Sequence, residues 1–208
     1  MKKNFYKLGV MGGTFNPIHH GHLVAAEVIR DEFELDEVLF VPSGKPPHKE
    51  NDEIAPPEHR WMMTLLATIS NEHFSASAIE IERKGESYTR DTLVEFKKIY
   101  GERTEIYFIT GADAIAEIST WHKTEDLPGL AKFIAASRPG YKLDWERIDP
   151  RFRKCTYLIE VPALAISSTD IRRRIREGKT IKYLVPEAVE KYIYKNGLYQ
   201  SKKAKDSK

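Results

Sequence analysis

Apolar positions along the chain alternate between short runs and helical stripes. Residues 6–11 form a compact apolar run, which predicts a strand. Over 23–35, Val24 with Val28, and Ala25 with Ile29 and Phe33, recur at helical spacing and predict a helix. Residues 38–41 read as a second strand, stopped by Pro42. A loop rich in proline and charge follows over 43–57. Residues 58–70 repeat the helical pattern, with Trp61, Leu65 and Ile69 expected along the packed face. Residues 75–81 are expected as a strand, and 89–100 as a helix striped by Leu93, Phe96 and Tyr100. The run 106–110 is so apolar that it predicts a strand buried on both faces. Strands are expected again over 133–137 and 157–161, and helices over 169–177 and 187–195, with Gly197 as a C-cap.

This alternation argues for an α/β fold, a parallel sheet covered by helices on both sides. Ligands in such folds bind beyond the carboxyl ends of the strands. Chemistry is therefore expected after Met11, Val41, Thr110 and Val161. A chain of 208 residues accommodates one domain, expected over 1–200, with a Lys-rich polar tail over 201–208 that is expected to be disordered. Lys and Arg number 33 against 31 Asp and Glu, a net charge of +2 that gives no reason to expect nucleic acid as a partner. A local basic patch around an anionic substrate remains compatible with it. The one cysteine, Cys155, sits in an apolar run and reads as an inert thiol. A single cysteine suits a reducing compartment. No apolar stretch has the length of a membrane span, and residues 1–10 lack the apolar core of a signal peptide. The expectation is a soluble cytoplasmic protein with no membrane partner. A homo-oligomer is compatible with the sequence, which does not set the oligomeric state.

Two segments carry chemistry. The first strand runs into Gly12-Gly13-Thr14-Phe15-Asn16-Pro17-Ile18-His19-His20-Gly21-His22, with a helix directly after it. Glycines at the strand end allow a tight turn and a close ligand, and the free amides of the helix start favour phosphate. His19 and His22 flank Gly21 there, and imidazoles so placed can donate to a phosphate whose charge grows in a transition state. A Gly-rich turn with exposed histidines is the plainer reading. A zinc site built from His19, His20 and His22 lacks a nearby cysteine or carboxylate partner, and no resident metal is expected. The second segment is Ile166-Ser167-Ser168-Thr169-Asp170-Ile171-Arg172, at the start of another helix. Its hydroxyls can cap the helix or bind a polyphosphate, and arginine suits phosphate oxygens because its planar fork binds bidentately.

The first segment resembles the His-x-Gly-His signature of the nucleotidylyltransferase superfamily, and the second resembles that superfamily's Ile-Ser-Ser-Thr-x-Ile-Arg element. The resemblance implies a Rossmann-like doubly wound sheet in three α/β/α layers, and transfer of a nucleoside monophosphate with release of pyrophosphate. It implies catalytic roles for His19 and His22. It also implies ATP and phosphate contacts from Gly12, Gly13, Thr14, Phe15, Ser167, Ser168, Thr169 and Arg172. Further features are Lys45-Pro46-Pro47-His48-Lys49, Ser87-Tyr88-Thr89, Gly111-Ala112-Asp113, Trp121-His122 and Ser137-Arg138-Pro139-Gly140. With them the chain resembles, from Leu8 to Leu198, the bacterial nicotinate-nucleotide adenylyltransferase family. The substrates this implies are ATP and nicotinate mononucleotide, with Mg²⁺ carried by ATP. Lys45, His48 and Lys49 would then reach the polyphosphate, Gly111 and Asp113 would lie against a ribose, and Thr89, Trp121 and Arg138 would bind the mononucleotide. Phosphopantetheine adenylyltransferases and the cytidylyltransferases of lipid-headgroup metabolism fit less well, the first by a Thr in place of the first histidine. A catalytically silent regulator would be expected to have lost His22 or the Ser-Ser-Thr run, and both are present.

Overall fold

The computed structural model describes residues 6–45 and 54–200. Six strands, β1 (Tyr6–Gly13), β2 (Glu37–Pro42), β3 (Phe74–Ala76), β4 (Thr104–Gly111), β5 (Lys132–Ser137) and β6 (Thr156–Glu160), form one sheet in the order β3-β2-β1-β4-β5-β6. Every neighbouring pair is parallel. The order reverses between β1 and β4, so a crevice opens at their carboxyl ends. This is the expected doubly wound sheet.

Along β1, alternate residues face opposite layers. Leu8 and Val10 pack with Leu93 and Phe96 of α4 (Thr89–Tyr100), Ala112 and Ile115 of α5 (Ala112–Ala116), and Phe152. Met11 packs on the other side with Ala26 and Ile29 of α1 (His20–Glu32), Met63 and Ala67 of α2 (Pro57–Thr68), Ile171 and Ile175 of α8 (Ser168–Arg176), and Val189 and Ile193 of α9 (Glu187–Lys195). The short helices α3 (Ile79–Glu82), α6 (Leu127–Leu130) and α7 (Pro150–Arg153) complete the layers. In β4, Phe108 belongs to one core and Ile109 to the other, as a strand buried on both faces requires. No described helix is long and apolar enough to cross a membrane.

Several expectations are corrected. The first helix spans His20–Glu32, earlier at both ends than 23–35; His19 is extended (φ −149°) and releases the helix, and Glu34 at φ +51° turns the chain away. The expected strand 75–81 splits into β3 and α3. Its Ile-Glu-Ile-Glu pattern has the period of a strand, yet Glu80 is buried and accepts a 2.7 Å hydrogen bond from Thr92 Oγ1 on α4. That tertiary contact overrides the local pattern. The face of α2 is rotated from the expected one: Arg60, Met63, Thr64, Ala67 and Thr68 are buried, while Ile69 is 76% exposed. Cys155 is only half-buried, and burial pushes its thiol pKa up. The stretch 142–154, uninformative in sequence, supplies Leu143, Ile148 and Phe152 to the core. The tail 201–208, like Pro46, Pro47, His48 and Lys49, lies outside the described residues.

Candidate active site

At the centre of the sheet β1 ends in Gly12 and Gly13, and the chain turns through Phe15 at φ +46° into α1. The Phe15 ring is buried and meets His22 edge-on, with centroids 5.1 Å apart. Its side chain is therefore core, and only its backbone is left for a ligand. His19 is buried at the helix start, and its ring stacks on His22 at 3.7 Å. The His19 amide donates to His22 Nδ1 at 3.2 Å. Burial pushes the His19 pKa down to about 4, helped by nearby His20. Burial, with His19 alongside, pushes His22 down to about 3. Both imidazoles are thus neutral near pH 7. Because Nδ1 of His22 accepts a hydrogen bond, the proton of that ring resides on Nε2, a donor toward the cavity that His22 lines. Gly21 makes the stacked pair fit, since a Cβ there would lie 3.0 Å from His19 Nδ1.

The second motif docks onto the first. Ser167 Oγ caps α8 by accepting from the Asp170 amide at 3.1 Å. Ser168 Oγ donates to the Pro17 carbonyl at 2.8 Å, and Arg172 Nη1 donates to the Asn16 carbonyl at 3.0 Å. Two segments at opposite ends of the chain are thereby bonded into one wall. Arg174 pairs with Asp170 at 2.7 Å, and Arg173 pairs with the same carboxylate.

Two cavities open at the carboxyl ends of the strands. The first, about 450 Å³, is lined by Gly12, Gly13, Phe15, His19, His22, Gly111, Arg138, Ser167 and Ser168 among others. The second, about 290 Å³, is lined by Gly12, Gly13, Thr14, Ser43, Glu80, Ser87, Thr89, Thr92, Phe108 and Trp121 among others. They share Gly12, Gly13 and Thr110, the ends of β1 and β4. Thr89 opens α4, and Trp121 stands edge-on to Phe108 with centroids 5.8 Å apart. Arg138, expected with Thr89 and Trp121, lies instead on the wall of the first cavity. Thr169, Arg172, Asp113 and the exposed Lys45 line neither. The walls present imidazoles, hydroxyls, helix-start amides and an arginine, a donor set suited to anions. Among the described residues no group of three or more metal-ligating side chains occurs.

Sequence reasoning missed four supporting residues. Arg60 is buried and donates to the carbonyls of Thr14, on the wall of the second cavity, and of Gly44, on the loop beside it. Gly44 packs so close to α3 that a Cβ would fall 2.1 Å from the Glu80 carbonyl oxygen. Asn16 Oδ1 accepts from the Ala55 amide at 3.0 Å and from the Tyr199 hydroxyl at 2.8 Å, tying the turn between β1 and α1 to the last described turn of the chain. The only sequence signal was that Asn16 stands inside the first motif and Gly44 directly before the Lys45 segment; Arg60 and Tyr199 carried none.

Fold and site define a nucleotidyltransferase domain, and the model of the cytidylyltransferase-like family matches residues 10–174. A relative from Thermoanaerobacter sp. (strain X514), named probable nicotinate-nucleotide adenylyltransferase, is 54% identical and aligns over 93% of this chain and 94% of its own. One of the same name from Moorella thermoacetica is 55% identical over 93% of this chain and 92% of its own. In fold the chain is similar to the Plasmodium falciparum nicotinic acid mononucleotide adenylyltransferase complexed with NaAD, at TM-score 0.70 and 24% identity over 93% of this chain and 97% of that one. The chain belongs to the nicotinate-nucleotide adenylyltransferase family.

Proposed function

We propose that the protein transfers the adenylyl group of ATP to the phosphate of nicotinate mononucleotide, giving nicotinate adenine dinucleotide and pyrophosphate, a step of NAD biosynthesis. The observation that carries this reading is the pair of cavities meeting at Gly12, Gly13 and Thr110. Two nucleotides seated in them would bring their phosphates together at the point where strand order reverses.

ATP takes the cavity walled by His19, His22, Ser167 and Ser168, with Gly111 and Asp113 toward its ribose. The mononucleotide takes the other, its pyridine ring against Trp121 and its carboxylate toward the α4 start at Thr89. A phosphate oxygen of the mononucleotide attacks the α-phosphorus, and the bond from that phosphorus to the bridging oxygen breaks as pyrophosphate leaves. The attacking oxygen is already anionic, so no general base is required. The protein contributes position and charge stabilisation. His22 Nε2–H donates to the α-phosphate as charge builds there, and the Phe15 amide and His19 assist. Ser167, Ser168 and Thr169 hold the β- and γ-phosphates. Lys45 does so too, with His48 and Lys49 assigned by sequence alone. Arg172 shapes this wall through Asn16 and Thr169, and Arg138 faces ATP. Magnesium brought with ATP would supply neutralisation of phosphate charge and would ask few ligands of the protein.

The test is an assay of purified protein with ATP, nicotinate mononucleotide and Mg²⁺. Pyrophosphate and dinucleotide should appear together, each depending on all three components. ATP consumption without dinucleotide would sink the transferase reading.

A further inference from the structure

We infer that Arg60 is a positioning residue for adenylyl transfer: its buried guanidinium fixes the backbone that separates the two cavities. This rests on the reaction proposed above. Arg60 is 1% exposed, on the inner face of α2, and makes no ion pair with any described carboxylate. Its donors go instead to three carbonyls from three segments. Nη1 reaches Thr14 at 2.9 Å, Nη2 reaches Gly44 at 3.0 Å, and Nε reaches Ala55 at 3.0 Å. Guanidinium keeps its proton even when burial lowers its pKa, as it does here. Its hydrogen-bond partners are all neutral, and although Glu58 and Glu80 lie near enough to favour the charge, burial still lowers its pKa; packing α2 would need no more than an apolar side chain. What an apolar side chain could not do is bind these three carbonyls from three segments at once.

The consequences follow from peptide geometry. A trans peptide is planar, with its carbonyl and amide hydrogen on opposite sides. Holding the Thr14 carbonyl toward Arg60 therefore turns the Phe15 amide away from the core, on the turn that joins Gly13 to the histidine pair. The Gly44–Lys45 peptide is held from both sides. Its carbonyl accepts from Arg60, and its amide, that of Lys45, donates to Ser87 Oγ at 3.2 Å. The Gly44 amide also donates to Ser87 Oγ, at 3.0 Å. Thr14 and Ser87 both line the second cavity, and Thr14 follows directly on Gly12 and Gly13, common to both cavities. One side chain thus sets the distance between the phosphate turn and the loop that bears Lys45.

Two variants test this. Arg60→Lys keeps the charge, but a single ammonium cannot reproduce the planar fork. Ser87→Ala releases the other side of the Gly44–Lys45 peptide without touching the core. Thermal denaturation gives the folded fraction, and kcat and the KM for ATP are then measured per folded molecule. A misplaced turn acts on the transition state more than on binding. Arg60→Lys should keep its KM for ATP near wild type while kcat falls on the order of 10²-fold. Ser87→Ala should show the same split with a smaller loss. A side chain that serves stability alone would lower the melting temperature and leave kcat per folded molecule unchanged, and that result in Arg60→Lys would overturn the inference. Should Arg60→Lys fail to fold, wild-type kcat in Ser87→Ala would overturn it as well. An inactive wild type would remove adenylyl transfer itself, and this role with it.

Discussion

Neither imidazole of the His19–His22 pair is a proton reservoir near neutral pH, because burial holds both well below the ordinary histidine range. In the proposed reaction the pair would act as neutral donors. Removing one such donor from a transition state costs roughly 10²- to 10³-fold in kcat. His22→Ala should therefore keep its fold and its KM for ATP while kcat drops on that scale; near-normal kcat in steady-state kinetics would make His22 structural. The same shifts set a pH dependence of stability. The ordinary histidine value is about 6.5, against about 4 for His19 and about 3 for His22 in the fold. Across that interval the unfolded chain binds more protons, so stability should fall as pH drops from 6.5 toward 4. His22→Asn should flatten this decline in urea-denaturation midpoints taken from pH 7 to 4; an unchanged slope would speak against a depressed His22. Both histidines were legible in sequence because they stand in a strand–turn–helix context with glycines. Arg60 was not, since a lone arginine on an amphipathic helix reads as solvated and charged side chains are almost never fully buried.

Among elements, β1, β4, α4 and α9 follow directly from their apolar patterns, α4 and α9 to the residue. The errors fall where a polar side chain is buried. Glu80 bonds to Thr92 and bends an alternating segment into a helical turn, and Arg60 rotates the face of α2. Hydrophobic periodicity cannot register a polar residue whose partner lies on a distant element. The loop between β2 and α2 shows this at Gly44, where backbone meets backbone. Gly44→Ala would place a methyl 2.1 Å from the Glu80 carbonyl oxygen, and overpacking of that kind costs about 1–3 kcal/mol. A matching loss in thermal or urea denaturation is expected, with reduced turnover through the displaced Lys45. A melting temperature equal to wild type would mean that α3 gives way without cost.

For the whole molecule, alternating strands and helices foretold a parallel sheet covered on both sides, the family resemblance implied its doubly wound form, and the chemistry was expected at its carboxyl edge. Sequence alone did not show that the two motifs are bonded through Ser168 and Arg172 to Pro17 and Asn16, because those contacts join residues 151 and 156 positions apart. Nor did it show that Arg138 shares a wall with the histidines while Thr89 and Trp121 share another. In the proposed reaction that division would give each nucleotide its own cavity and make the acceptor the distinguishing substrate. The start of α4 at Thr89 offers donors to a carboxylate. The amide of nicotinamide mononucleotide would set an NH₂ group against those same donors, and unmatched polar groups of this kind discriminate strongly. The most direct measurement is kcat/KM of the wild-type protein for nicotinate mononucleotide and for nicotinamide mononucleotide, each with saturating ATP and Mg²⁺. A preference for the acid of at least about 10²-fold is expected. Equal use of acid and amide, or a preference for the amide, would contradict the assignment of nicotinate mononucleotide as the acceptor.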